Sequence, residues 1–179
     1  SYLMAHCALG PDSTLIDLGS GIGKPILHAA LHARVRYAIG IEVAYAKWRL
    51  ALTTLITQRN RLQHLPRPSV HFIHTDFTCV QSLSPCTHLY MFDVGFPEGH
   101  GVYTHIASLI HHCSTLRYLV CYRPSTLMHE ALEIGIHLRV LPIAQVITQM
   151  HSSNQQHRAY ILRCERPPTT PPTFFDPRG

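Results

Sequence analysis

Two rhythms alternate along the chain. Short, nearly unbroken apolar runs read as buried strands: "TLIDL" (14–18), "YAIGIEV" (37–43), "VHFIHTDF" (70–77), "HLYMFDV" (88–94) and "LRYLVCY" (116–122). Between them, apolar residues recur at helical spacing. "KPILHAALHA" (24–33) is a helix with Pro25 in its first turn, where a missing N–H costs nothing. Over 44–62, Trp48, Ala51, Leu52, Leu55 and Leu62 share one stripe, with Lys47, Gln58 and Arg61 elsewhere around the axis. A third helix, 99–113, aligns Val102, Ile106, Leu109, Ile110 and Cys113, and a fourth, 125–135, ends on a glycine. Beyond it the helical period stops. Residues 137–150 and 158–165 read as a hairpin across the polar turn "HSSNQQ".

Alternating strands and helices call for a parallel sheet wrapped on both faces. A terminal hairpin with no helix between its strands adds an antiparallel edge. That is the seven-stranded, Rossmann-like α/β plan of class I methyltransferases, whereas a plain dinucleotide-binding fold more often alternates to its end. The expected organisation is one domain over residues 1–166 and a loose, proline-rich tail over 167–179. The chain opens on Ser rather than Met and reads as part of a longer one.

Composition narrows the function classes. With 46% hydrophobic and 14% charged residues, 179 residues build a core rather than a disordered chain. No apolar run reaches membrane-span length, and no basic, then apolar, leader opens the sequence. Six scattered cysteines without a CxxC pair suggest buried thiols of an intracellular protein. The 15 histidines include one pair a helical turn apart, His28 and His32, but no HExxH, so no metal site is expected. A net charge of +5, carried almost wholly by arginine, leaves room for an acidic partner such as nucleic acid.

The acids are few and unevenly placed. Of ten, four stand at or near the C-terminal ends of the first four strands: Asp17, Glu42, Asp76 and Asp93. In an open α/β sheet those ends line the ligand crevice. Singly, each could cap a turn or a helix; together with "LIDLGSGIGKP" (15–25) they outline a pocket. The pattern there is Asp-x-Gly-x-Gly-x-Gly, at Asp17, Gly19, Gly21 and Gly23. NAD, FAD and S-adenosyl-L-methionine proteins all use a glycine turn after a strand. An acid within the turn disfavours a pyrophosphate and suits the amino group and sulfonium of S-adenosyl-L-methionine. Glu42 can take ribose hydroxyls, and Asp76 and Phe77 can serve the adenine amino group and ring.

"LIDLGSGIGKPILHAA", "GIE", "HTDF" and the terminal hairpin together resemble the disruptor-of-telomeric-silencing family, the non-SET histone H3 lysine methyltransferases, over roughly residues 14–165. "FDVGFP" is similar to trypanosomatid forms of that family. The resemblance implies a monomeric nuclear enzyme that uses S-adenosyl-L-methionine on histone H3 in the nucleosome, meeting DNA phosphates with its basic surface. It implies cofactor contacts from Asp17, Gly19, Gly21, Gly23, Lys24, Glu42, Asp76, Phe77 and Asp93. Asp93, Phe96 and Tyr160 would shape the lysine channel, Asp93 falling where the family has an asparagine. Lys47, Arg49, Arg59, Arg61 and Arg67 are candidate nucleosome contacts.

The chain departs from the family at several points. "FDVGFP" replaces Asn-Asn-Phe-x-Phe, the hairpin lacks its usual tryptophan, Lys24 stands where glutamine is common, and the family's cofactor-covering segment would precede residue 1. Methyl transfer needs alignment and exclusion of water rather than an acid–base dyad, and no such dyad is evident. The residues alone leave open a class I methyltransferase of RNA, DNA or a small molecule, and a catalytically silent chromatin-binding module.

Overall fold

A computed structural model of the chain describes residues 5–62, 69–97, 101–149 and 156–165. Seven strands form one sheet: β1 (Thr14–Leu18), β2 (Tyr37–Glu42), β3 (Ser69–His74), β4 (His88–Met91), β5 (Tyr118–Cys121), β6 (His137–Gln149) and β7 (Gln156–Glu165), in the order β3-β2-β1-β4-β5-β7-β6. The first five are parallel. β7 runs antiparallel to both β5 and β6, so the expected mixed sheet with a terminal hairpin is the observed one. The strand order reverses between β1 and β4, and the crevice of such a sheet opens at the C-terminal ends there.

β1 is buried over its whole length, which is why it reads as an apolar run rather than an alternation. Its side chains still divide by face. Ile16 and Leu18 join Leu89, Met91 and Leu119 under helices α4 (Val102–His112) and α5 (Pro124–Glu133), which contribute Ile106, Ile110 and Leu127. Leu15 faces the other way, into a smaller cluster with Ile26, Ala29, Ala30, Val35 and Ala38 around helix α1 (Lys24–His28).

The helices differ in detail from their sequence-derived bounds. The 24–33 segment is α1 followed by a π-helical turn, Ala29–Ala33, closed by Arg34 at φ 55°. The 44–62 segment breaks at Gln58 into α2 (Tyr45–Thr57) and α3 (Arg59–Leu62). Near the break the Thr54 and Thr57 hydroxyls bond back to the Leu50 and Thr54 carbonyls, a competition that loosens a helix. Of the anticipated apolar stripe, Ala51 alone is fully buried in α2, while Leu50 and Ile56 face solvent. β3 and β4 stop short of their expected ends because 3-10 turns follow, Phe77–Cys79 and Asp93–Gly95. β6 slips register between Val140 and Gln145, around Pro142, which cannot donate to the ladder. The polar turn after Gln149, Arg67 and the proline-rich tail lie outside the described residues.

Candidate active site

The turn after β1 is built from backbone that only glycine adopts easily. Gly19, Gly21 and Gly23 have φ of 77°, 55° and 79°. The Gly19 and Ser20 amides donate to the Ile41 carbonyl, each at 2.9 Å, which laces the turn to β2. Gly23 is needed twice, since a Cβ there would also collide with the Phe72 ring. That ring is anchored where the Trp48 indole Nε1–H donates to the Phe72 carbonyl at 3.0 Å.

Glu42 completes the turn. Its Oε2 accepts from the Gly21 amide at 2.6 Å and its Oε1 from the Ala44 amide at 2.8 Å, so the carboxylate is held at the mouth of the sheet. Each oxygen keeps lone pairs for a further donor. Asp17 is almost fully buried, and its Oδ1 has no hydrogen-bond partner. Burial, and then the Glu42 charge, hold its carboxyl well above the usual carboxylate range. Asp76 caps the following 3-10 turn by accepting from the Thr78 amide at 2.9 Å, and its side chain is otherwise exposed. A Cβ at Gly21 would meet nothing within 4 Å, so the backbone there stands open to a ligand. A buried Asp17 carboxyl with an unpartnered oxygen, the Glu42 carboxylate held at hydrogen-bonding readiness and an open glycine edge fit a ligand with a cationic group and vicinal hydroxyls. S-adenosyl-L-methionine is such a ligand.

Phe77 and Phe96 meet over this turn. Their rings stack at 4.8 Å and 25°, and Phe96 lies 3.4 Å from the Cβ position of Gly19. Phe96 thus packs over the glycine turn, against one face of Phe77.

Asp93 is wholly buried. Its Oδ1 accepts from the Tyr122 amide at 2.6 Å; its Oδ2 accepts from the Tyr103 hydroxyl at 2.9 Å and the Arg123 amide at 3.2 Å. The carboxylate therefore ties the end of β4 to the end of β5 and to α4. Burial, and then the Asp93 charge, hold the Tyr103 phenol above its ordinary value, so it remains the donor. Cys121, beside the same carboxylate, is raised in the same way.

Tyr160 pairs with Cys121 across the β5–β7 ladder and lines a cavity of about 690 Å³ with Tyr103, Tyr122, Arg123 and Pro124. The sequence-derived channel residues therefore sit at three stations, with Phe96 over the glycine turn, Asp93 within the core and Tyr160 on the β5–β7 rim. Lys24 is exposed and lines a different groove, along α1. Tyr122 and Arg123 escaped the sequence reading, although "YRP" follows β5 directly. The strand-end rule that picked out the acids would have found them, had it been applied to aromatic and basic residues as well. Among the described residues, no group of three or more His, Cys, Asp or Glu could hold a metal ion, and no helix is long and apolar enough to cross a membrane.

Comparison with known proteins supplies a family. A family model described as "Histone methylation protein DOT1" matches residues 1–92, just over half of the chain, ending at the β4 turn before the hairpin. No curated protein matches the chain in sequence. Among solved structures, Sp1610 of Streptococcus pneumoniae with S-adenosyl-L-methionine bound superposes with a TM-score of 0.60 at 11% identity, over 95% of this chain and 75% of that one. TYW2 of M. jannaschii in complex with AdoMet gives a TM-score of 0.61 at 14% identity, over 90% and 74%. An RNA methyltransferase from Salinibacter ruber in complex with S-adenosyl-L-homocysteine gives 0.55 at 16%, over 93% and 92%. At these identities the likeness is one of fold.

Proposed function

Because the chain belongs to the DOT1 histone methylation family, we propose that it is an S-adenosyl-L-methionine-dependent methyltransferase whose acceptor is a lysine of histone H3 in the nucleosome. One observation carries the cofactor reading. Gly19, Gly21 and Gly23 are laced to β2, Glu42 is fixed by two amides, and the Asp17 carboxylate is buried without a partner for its Oδ1. The Glu42 carboxylate beside the open glycine edge would repel a pyrophosphate and would not repel a sulfonium or ammonium group, while the buried Asp17 carboxyl offers a hydrogen-bonding partner.

In this reading Glu42 holds the ribose, Asp76 and Phe77 the adenine end, and the glycine turn with Asp17 the cationic end. Bound there, the cofactor supplies an electrophilic methyl group. The protein's task is to position the acceptor amine in line and keep water out. A lysine amine titrates near 10.4 in water. The tyrosine-walled cavity at Tyr103, Tyr122 and Tyr160 would disfavour its charged form by desolvation, so that it loses its proton before attack. Asp93 acts through position: by fixing the ends of β4 and β5 it sets the distance between the Phe77–Phe96 stack and the Tyr160 rim.

The exposed Lys47, Arg49 and Arg59 on α2 and α3 are the contacts we assign to nucleosomal phosphates, with the nucleus as the place of action, whereas Arg61 turns to a separate groove along α1. Thermal unfolding with ligands tests the cofactor reading. At about a hundredfold excess over Kd, S-adenosyl-L-methionine adds about 2.7 kcal/mol of stability, roughly 5–11 °C in Tm for a chain of this size. Glu42→Ala loses most of that shift. A shift with NAD and none with S-adenosyl-L-methionine overturns it.

A further inference from the structure

Among the described residues, a further cavity lies away from the glycine turn. It is a groove of about 730 Å³ between α1 and the segment carrying Cys7 and Leu9. Its floor is apolar: Tyr90 of β4 and Tyr118 and Val120 of β5 lie along the sheet face that carries α1. Leu27 and Leu31 form the helical wall. The rim is cationic or titratable, with Lys24, His28 and His32 spaced along α1 and its π-helical turn, and Arg61 reaching in from α3. All four rim residues are exposed, and no acid lines the groove.

The charge imbalance extends beyond the rim. Residues 24–62 hold seven Lys or Arg and a single acid, Glu42, which is buried and bonded inside the glycine turn. Among the described residues of this stretch, no exposed acid neutralises the rim. Two further details mark α1 as a strip built for contact. The His28 and His32 rings lie 4.4 Å apart on its outward face, a cost in mutual repulsion whenever both are charged. The helix also widens into a π turn at Ala29–Ala33, a deviation that recurs at functional positions.

We propose that this groove docks a short amphipathic helix of an acidic partner protein. From Lys24 to His32 the wall runs about 12 Å, the length of roughly two helical turns. A partner segment of that length presents apolar residues at i, i+3 or i+4 and i+7 to the Tyr90–Tyr118–Val120 floor, with glutamates or aspartates flanking them at the rim. A phosphodiester backbone could pair with the rim but would leave the aromatic and aliphatic floor uncovered, so the groove favours a peptide over nucleic acid. The site is separate from the cofactor turn, and its occupancy can be read without methyl transfer.

The test uses synthetic peptides and fluorescence anisotropy. One peptide of about 14 residues carries leucines at i, i+3, i+4 and i+7 with glutamates elsewhere; a second keeps the leucines and replaces every glutamate with lysine; a short duplex DNA is the third probe. The glutamate peptide binds, more weakly as salt rises, and the lysine peptide does not. His28→Glu with His32→Glu weakens the glutamate peptide about tenfold or more. Leu31→Asp, on the wall, does the same. Both variants keep the wild-type Tm and its rise with S-adenosyl-L-methionine, which separates loss of docking from loss of folding. Equal binding of both peptides would reduce the groove to an apolar patch without charge selection. No binding of the glutamate peptide overturns the proposal, as does DNA binding that the histidine variants abolish.

Discussion

Asp93→Asn is the substitution whose consequence the geometry fixes most closely. The wild-type carboxylate satisfies three donors, the Tyr122 amide, the Tyr103 hydroxyl and the Arg123 amide, in complete burial. Asparagine offers one acceptor oxygen and two N–H groups of its own. In its best orientation the oxygen keeps the Tyr122 amide and the new N–H₂ turns to the Tyr103 oxygen, which can accept. The Arg123 amide is then left facing a donor. Loss of the Asp93 acceptor by this part-buried amide costs about 1–3 kcal/mol, and loss of charge assistance in the retained bond adds to it. The expected destabilisation is about 2–4 kcal/mol, or about 4–16 °C in Tm at this chain length. Asp93→Ala strands all three donors and costs more. Tyr103→Phe removes one bond to the carboxylate, and its effect and that of Asp93→Asn are not additive because they share a partner. Urea unfolding reads these as shifts in midpoint at constant slope. An Asp93→Asn protein within about 0.5 kcal/mol of wild type would refute the clamp, since that is the range of an inconsequential surface change.

Three further outcomes follow from the same geometry. Gly23→Ala must accept φ near 79° and displace the Phe72 ring, so it should unfold at about 2–4 kcal/mol less stability, measured in urea; a neutral result would mean the turn relaxes freely. The folded state holds a proton on Asp17 that the unfolded chain releases, because burial and then Glu42 raise its carboxyl. Stability from this group is therefore lost as pH rises from the ordinary carboxylate range through the raised value, and Asp17→Asn should flatten Tm against pH above the ordinary carboxylate range; an unchanged slope contradicts it. Phe96→Ala uncovers Gly19 and one face of Phe77 and should quicken cofactor association in stopped-flow fluorescence, while an unchanged rate would show that the stack is no obstacle.

Much of this was legible in the sequence because it rests on local rules. The alternation of apolar runs and helical stripes marks seven strands along the chain, and the break in that alternation after Gly135 marks the hairpin, while their order in the sheet is set only by the pairing. The glycine turn and Glu42 were visible because strand-end position and residue type suffice to single them out. Asp93 was found by the same rule, but its surroundings were not, since Tyr103 and the Tyr122 and Arg123 amides reach it from 10 to 30 residues away in the chain. Phe96 was grouped with Tyr160 by likeness to a family, and only the three-dimensional path of the Asp93–Gly95 turn shows it stacked on Phe77. The groove along α1 had no sequence signature at all, because its floor comes from β4 and β5, about 60 to 90 residues beyond its wall.

Transfer of a tritium-labelled methyl group from S-adenosyl-L-methionine, offered in parallel to intact nucleosomes, free histones and RNA, tests the central claim most directly. The account predicts label on a lysine of histone H3 in nucleosomes, falling steeply as salt is raised and absent with Glu42→Ala. Label on RNA or on a small molecule, with nucleosomal H3 left unlabelled, would contradict the histone reading and leave the family's fold serving a different acceptor.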